Sequence, residues 1–136
     1  MLQVYSSDLT VNANAAFPFN NVVLDKGCAE RLSAPATVQL NQRGVYLVEV
    51  DGFATGSAAG ADVIQLFVNG VALPQAQTSP TLITTGPTNF GFKTFIQVAE
   101  NNCNCNCVSS PTVLQVVNGD QALTDAHINM VVTKIR

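Results

Sequence analysis

Tryptophan is absent, histidine occurs once, and only 11% of residues are charged. Each scarcity excludes something. A single histidine, His127, cannot build a cluster of imidazole ligands, and no serine or cysteine stands near it in a recognisable motif. A histidine at the start of a strand reads as a polar, outward residue. No P-loop, dinucleotide fingerprint or zinc-protease signature occurs, so no catalytic residues are assigned and the chain reads as a non-enzyme. The six Lys/Arg are scattered and the net charge is −3, which leaves no electrostatic footprint for nucleic acid or an anionic membrane. No apolar run approaches the ~18 residues of a membrane-spanning helix. The first residues, MLQVYSSDLT, show neither a basic region nor an apolar core, so no signal peptide is expected. There is no Asn-x-Ser/Thr acceptor and no repeat of solenoid period.

What is present is apolar and β-patterned. Hydrophobic residues make up 47% of the 136 residues, enough for one domain, residues 1–136, with a real core. So little charge leaves the surface of a small monomer poorly solvated. That favours a protein that buries part of its surface against copies of itself.

The organising stretch is 44–71. Tyr46, Val48 and Val50 alternate with Glu49 and Asp51, and Ile64, Leu66 and Val68 repeat the pattern. A period of two puts these sets on opposite faces of strands. Asn69-Gly70 supplies a two-residue hairpin, because both residues tolerate positive φ. Pro74 cannot donate to a ladder, so the return strand is expected to be short or at an edge. Further strands are expected at 2–5, at 11–19 with a break at Pro18, at 20–24, 37–40, 92–98 and 112–117, and at the C-terminal run through Ile128, Met130 and Val132. The segments 28–36, 54–61 and 78–89 read as connections, the last two as mobile loops, with Leu82 and Ile83 the only apolar anchors of the third. About ten short strands, with turn signals between them and no helix, mean an all-β sandwich or barrel.

The faces opposite this core are also apolar. Val45, Leu47, Val63, Phe67, Phe95, Val113, Val117 and Val131 all fall there. A solvated face should be polar, and a large apolar patch marks an interface. These residues are the candidate self-association surface.

With the strands placed, the chain resembles the tumour necrosis factor (TNF) and complement-head jelly-roll superfamily. Within it, the chain is most similar to the C-terminal heads of BclA-type collagen-like surface proteins of bacterial spores. Gly44-Val45-Tyr46-Leu47-Val48 resembles the Gly-x-Tyr-x-hydrophobic strand of those heads. Ile64-Gln65-Leu66-Phe67-Val68-Asn69-Gly70 resembles their hairpin ending in Val-Asn-Gly. The run Val131-Val132-Thr133-Lys134-Ile135 falls where their last strand does. The similarity spans most of 10–136. It implies a TNF-like jelly roll of about ten strands, assembled as a homotrimer. The setting it implies is a spore surface, a cell surface or a phage fibre, with a receptor or shell partner that the sequence does not name. No Gly-x-y collagen repeat precedes the domain, which departs from the spore proteins. A carbohydrate- or small-ligand-binding module of lectin type is the alternative, weakened by the lack of tryptophan.

Two local features remain. Cys103, Cys105 and Cys107 alternate with asparagines, and Cys28 completes four thiols. The cluster reads as disulfides, as a soft-metal site, or as a contact between subunits. Extended, the alternate cysteines lie ~6.5–7 Å apart, too far for one tetrahedral ion with bonds of ~2.3 Å, unless the asparagines turn the chain. No cofactor is expected beyond such a metal. Asp51, Asp62, Asp120 and Asp125 lie near loops, where acids bind calcium. The EF-hand spacing is absent, so they read as solvated loop acids.

Overall fold

The computed structural model describes residues 1–98 and 111–136, and every strand pairing among them is antiparallel. Twelve strands and no helix occur among the described residues. In chain order they are β1 (Leu2–Val11), β2 (Asn21–Asp25), β3 (Glu30–Ala34), β4 (Thr37–Leu40), β5 (Gly44–Gly56) and β6 (Gly60–Ala61). These are followed by β7 (Ile64–Val68), β8 (Val71–Thr78), β9 (Thr81–Leu82), β10 (Thr88–Val98), β11 (Thr112–Asn118) and β12 (Leu123–Lys134). Ten of them form two five-stranded sheets, β10-β5-β12-β1-β2 and β3-β4-β11-β7-β8, called here the first and second sheets. The remaining pair, β6-β9, is a two-stranded clip.

The strand period builds the core. Leu2, Val4, Tyr46, Val48, Ile128, Met130 and Val132 point inward from the first sheet, all fully buried. Val38, Leu40, Ile64, Leu66, Leu114 and Val116 meet them from the second. Each such side chain contributes about 1.5–3 kcal/mol by leaving water. The result is an all-β sandwich of two five-stranded sheets, one of the two architectures the strand pattern implied.

The Asn69-Gly70 hairpin forms as expected, with φ of 51° and 80°, the double positive φ of a type I′ turn. Its return strand β8, which carries Pro74, is an edge strand of the second sheet. Other expectations are corrected. β1 runs to Val11, not Tyr5. Asp8 adopts φ 55°, and register shifts on either side of Leu9 move the buried set from Leu2, Val4 and Ser6 to Leu9 and Val11. β12 is irregular at the same level, with Asp125 at φ 48° and a register shift between Thr124 and His127. Aspartate tolerates this region better than most residues. Residues 11–19 are not a strand: β1 ends at Val11, and only Ala16 makes an isolated bridge, to Val117. Phe17 and Phe19 are buried on either side of Pro18. The connection 28–36 contains β3. Both glycine- and threonine-rich loops are tied down, since Ala54–Gly56 continue β5 and β6 pairs with β9. Leu82 is fully buried, whereas Ile83 is 45% exposed.

Tyr46 illustrates how the inward face carries polar atoms. It is fully buried, and its hydroxyl donates to the Gln42 carbonyl at 2.6 Å. Burial, with the Glu30 carboxylate adding to it, pushes its pKa from 10.0 to about 12. The folded state holds this proton more tightly than the unfolded state. Its stability is therefore lost as pH rises from 10.0 through about 12. Tyr46→Phe is expected to cost about 1–2 kcal/mol at neutral pH and to remove that part of the alkaline loss. Urea unfolding at pH 7 and pH 11 checks both.

Candidate functional site: the outward faces of the two sheets

The residues expected to form one apolar surface are divided by the fold. Val45, Leu47, Phe95 and Val131 lie on the outer face of the first sheet. Val63, just ahead of β7, and Phe67, Val113 and Val117 lie on the outer side of the second. The two faces point in opposite directions, so one flat contact cannot take both sets.

Register places the first group in adjoining rows. Phe95 pairs with Leu47, and Leu47 with Thr133. Gln97 pairs with Val45 in the row on one side. Lys93, Glu49, Val131 and Gln3 make the row on the other. Phe95 is 61% exposed, the most exposed phenylalanine described. Beside it is a groove of about 530 Å³ lined by Leu47, Glu49, Gln75, Lys93, Thr94 and Phe95. The centre of this face is polar. Gln3 Nε2 donates to Asn129 Oδ1 at 3.0 Å, and Asn129 Nδ2 donates to Asp51 Oδ1 at 3.1 Å.

The far end of the same face is aromatic. The Phe53 and His127 rings stack, with centroids 5.2 Å apart and planes 14° from parallel, and Tyr5 lies 6.1 Å from His127 on a tilt. Ser7 Oγ lies 2.9 Å from His127 Nδ1. Sequence alone gave His127 no partner, because Ser7 arrives through the β1–β12 pairing, 120 residues away. Among the described residues no hydrogen bond reaches Nε2, so no third group orients the ring as a catalytic triad requires. The contact holds the imidazole in the aromatic row. A cleft of about 290 Å³ adjoins Phe53 and is lined by Thr55, Thr84, Thr85, Gly86, Pro87 and Asp125.

The second group is diluted. Phe67 pairs with Gln115, Val117 with Gln65, and Val113 with Gln39, so apolar and amide side chains alternate across this face. Phe67, Val113 and Val117 are each only half-buried, and Val117 is partly covered through its bridge to Ala16.

Of the cysteines, Cys28 is half-buried ahead of β3, with Gln42 Nε2 donating to its sulfur at 3.6 Å. Cys103, Cys105 and Cys107 lie outside the described residues. Among the acids, Asp51, Asp120 and Asp125 are exposed as expected. Asp62 is not: only 3% of it is exposed. Its own outward neighbour Val63 hid this, since the alternation that buries Ile64 and Leu66 also buries position 62.

No family model matches the chain, and no curated protein does. Solved structures do. PRD1 vertex protein P5 is 19% identical, with 99% of this chain and 96% of that one covered at a TM-score of 0.65. The globular domain of zebrafish complement 1qA is 9% identical, covering 96% and 94% at 0.65. Eiger TNF from S. frugiperda is 18% identical, covering 98% and 92% at 0.58. The chain therefore has the TNF and complement-head jelly-roll fold.

Proposed function

We propose that the chain is a non-enzymatic head that assembles as a homotrimer through the outer face of its first sheet. The observation that carries this is Phe95, a large apolar side chain 61% exposed on edge strand β10, beside Leu47. The adjoining groove gives a second copy somewhere to insert. The order of three comes from the family resemblance. The head serves as a structural or recognition unit on a virion, spore or cell surface. Full-length likeness to a PRD1 vertex protein favours the virion among these settings. Light scattering at low micromolar concentration tests the assembly. Three subunits of 14.3 kDa give 3 × 14.3, about 43 kDa, and a stable monomer would sink the proposal.

A second reading has its own observation. The cleft beside Phe53 joins an aromatic ring, threonine hydroxyls and the Asp125 carboxylate. Aromatic faces with a few convergent polar groups suit a saccharide. A glycan array probed with the wild-type assembly and with Phe53→Ala separates a lectin-like module from a purely structural head. Binding lost in the variant supports the lectin reading, and an array without hits removes it.

A further inference from the structure

The cleft beside Phe53 is assembled from three separate parts of the chain. Phe53 and Thr55 come from β5, Thr84 and Thr85 from the connection between β9 and β10, and Asp125 from β12. Asp125 reaches the cleft because β12 is irregular. Thr124 pairs with Thr55 and His127 with Phe53, so Asp125 and Ala126 together stand opposite Ala54. An extra residue in a strand re-aims a side chain. Ala126 takes the buried position, and Asp125, at φ 48°, is left exposed in the cleft lining.

The lining groups are free to meet a ligand. The His127 imidazole stacks on the Phe53 ring and holds it, while 39% of Phe53 stays exposed. Among the described residues, no hydrogen bond or ion pair engages the side chains of Thr55, Thr84, Thr85 or Asp125. The cleft thus offers an apolar ring, hydroxyls that donate or accept, and a carboxylate that only accepts. A pyranose has the matching parts: an apolar C–H face and hydroxyls around its rim. At about 290 Å³ the cleft is at the small end of ligand sites, the scale of one sugar ring rather than a run of them.

Charge narrows the class. Asp125 is the only charged residue in the lining. The charges that flank it are acids too: Asp51, on the same face of β5 as Phe53, and Asp8, next to Leu9, which pairs with Ala126. A sugar bearing a carboxylate or sulfate would set like charges together, which costs binding. A neutral hexose instead turns two neighbouring hydroxyls to the Asp125 carboxylate as donors, a charge-assisted contact. We infer that the cleft binds the terminal unit of a neutral hexose glycan and rejects sialylated or sulfated ones. This rests on the saccharide reading above and gives that reading its ligand class. Assembly leaves room for it, since Phe53 lies about 20 Å along β5 from Leu47.

Ligand-observed NMR and calorimetric titration of the full chain test this, with methyl glycosides of glucose, galactose, mannose, sialic acid and glucosamine as probes. A hexoside has about a dozen non-hydrogen atoms, which at ordinary ligand efficiency gives a Kd of about 1–10 mM. At least one neutral hexoside is expected in that range, with the sialoside at least about tenfold weaker. Phe53→Ala is expected to weaken the neutral hexoside about tenfold or more. Asp125→Asn keeps the backbone, because asparagine tolerates positive φ. It is expected to weaken the hexoside about three- to tenfold and to narrow its margin over the sialoside. Thermal melts check that both variants are folded, and Asp125→Asn carries the test should Phe53→Ala not fold. If no sugar binds, the saccharide reading and this inference fall together. A sialoside that binds as tightly as the neutral hexosides overturns this inference alone and leaves the saccharide reading standing. So does binding confined to the glucosaminide, which would make the cleft a site for amines. Hexoside binding that neither variant changes places the sugar elsewhere and overturns the assignment to this cleft.

Discussion

If the first sheet carries the proposed trimer contact, Phe95→Asp is expected to leave a folded monomer. In the isolated subunit Phe95 is 61% exposed, so the substitution removes little intramolecular packing. Its strand partner, Leu47, still pairs through backbone hydrogen bonds. In the assembly the same carboxylate would be buried against apolar groups of a neighbour. An unpaired buried charge costs several kcal/mol, typically about 3–5, and each of the contacts in a closed ring carries it. Phe67→Asp makes the comparison informative. Phe67 is on the opposite face, beside Gln115, so that variant is expected to remain a trimer. Light scattering gives the mass, and circular dichroism confirms that both variants are folded. A Phe95→Asp trimer, or a Phe67→Asp monomer, would move the interface off the first sheet.

That contrast rests on a distinction the sequence does not carry. A period of two separates inward from outward side chains, and it did so correctly for Tyr46, Val48 and Val50, for Ile64 and Leu66, and for Ile128, Met130 and Val132. It cannot say which of two sheets a strand joins, because that depends on pairings between residues far apart in the chain. Leu47 and Phe67 therefore look equivalent in sequence and lie on opposite outer faces. The same limit applies to His127 and Ser7.

Local chemistry was legible where it needed no long-range partner. Asn69-Gly70 read as a hairpin turn, and Pro74 marked an edge strand. It failed where a strand changes phase. Ser6-Ser7-Asp8 looks like an end to β1, yet the Asp8 irregularity restarts the alternation at Leu9. It failed again at 54–61, where glycines read as flexibility. Gly56 is there because a Cβ would come within 2.7 Å of Leu82 Cβ and 2.8 Å of the Ala58 carbonyl oxygen. Asp62 was missed as a buried residue. Charge suggested solvent, while its phase with Ile64 pointed into the core.

Gly52→Ala is expected to be among the most damaging single substitutions in the protein. β5 lies between β10 and β12 in the first sheet, with Gly52 opposite Phe90 on one side and Ile128 on the other. A Cβ at position 52 would run into the His127 carbonyl oxygen and come within 2.9 Å of Phe90 Cζ. The phenylalanine ring can turn away. The carbonyl cannot, because it belongs to the irregular stretch of β12 where the register shifts between Thr124 and His127. Relief requires the central strands to part, which loses ladder hydrogen bonds and core contacts together. A cost of about 3 kcal/mol or more follows, at the upper end of overpacking effects, lowering the melting temperature by roughly 10 °C or more. Gly86→Ala is the matched control. Nothing lies within 4 Å of a Cβ there, so that change should fall within about 0.5 kcal/mol of the wild type. Paired thermal melts of the two variants decide the matter. A Gly52→Ala protein that melts within about 2 °C of the wild type would mean that β5 and β12 can separate at this level without loss, and that the glycine answers to something other than the close approach of the two strands.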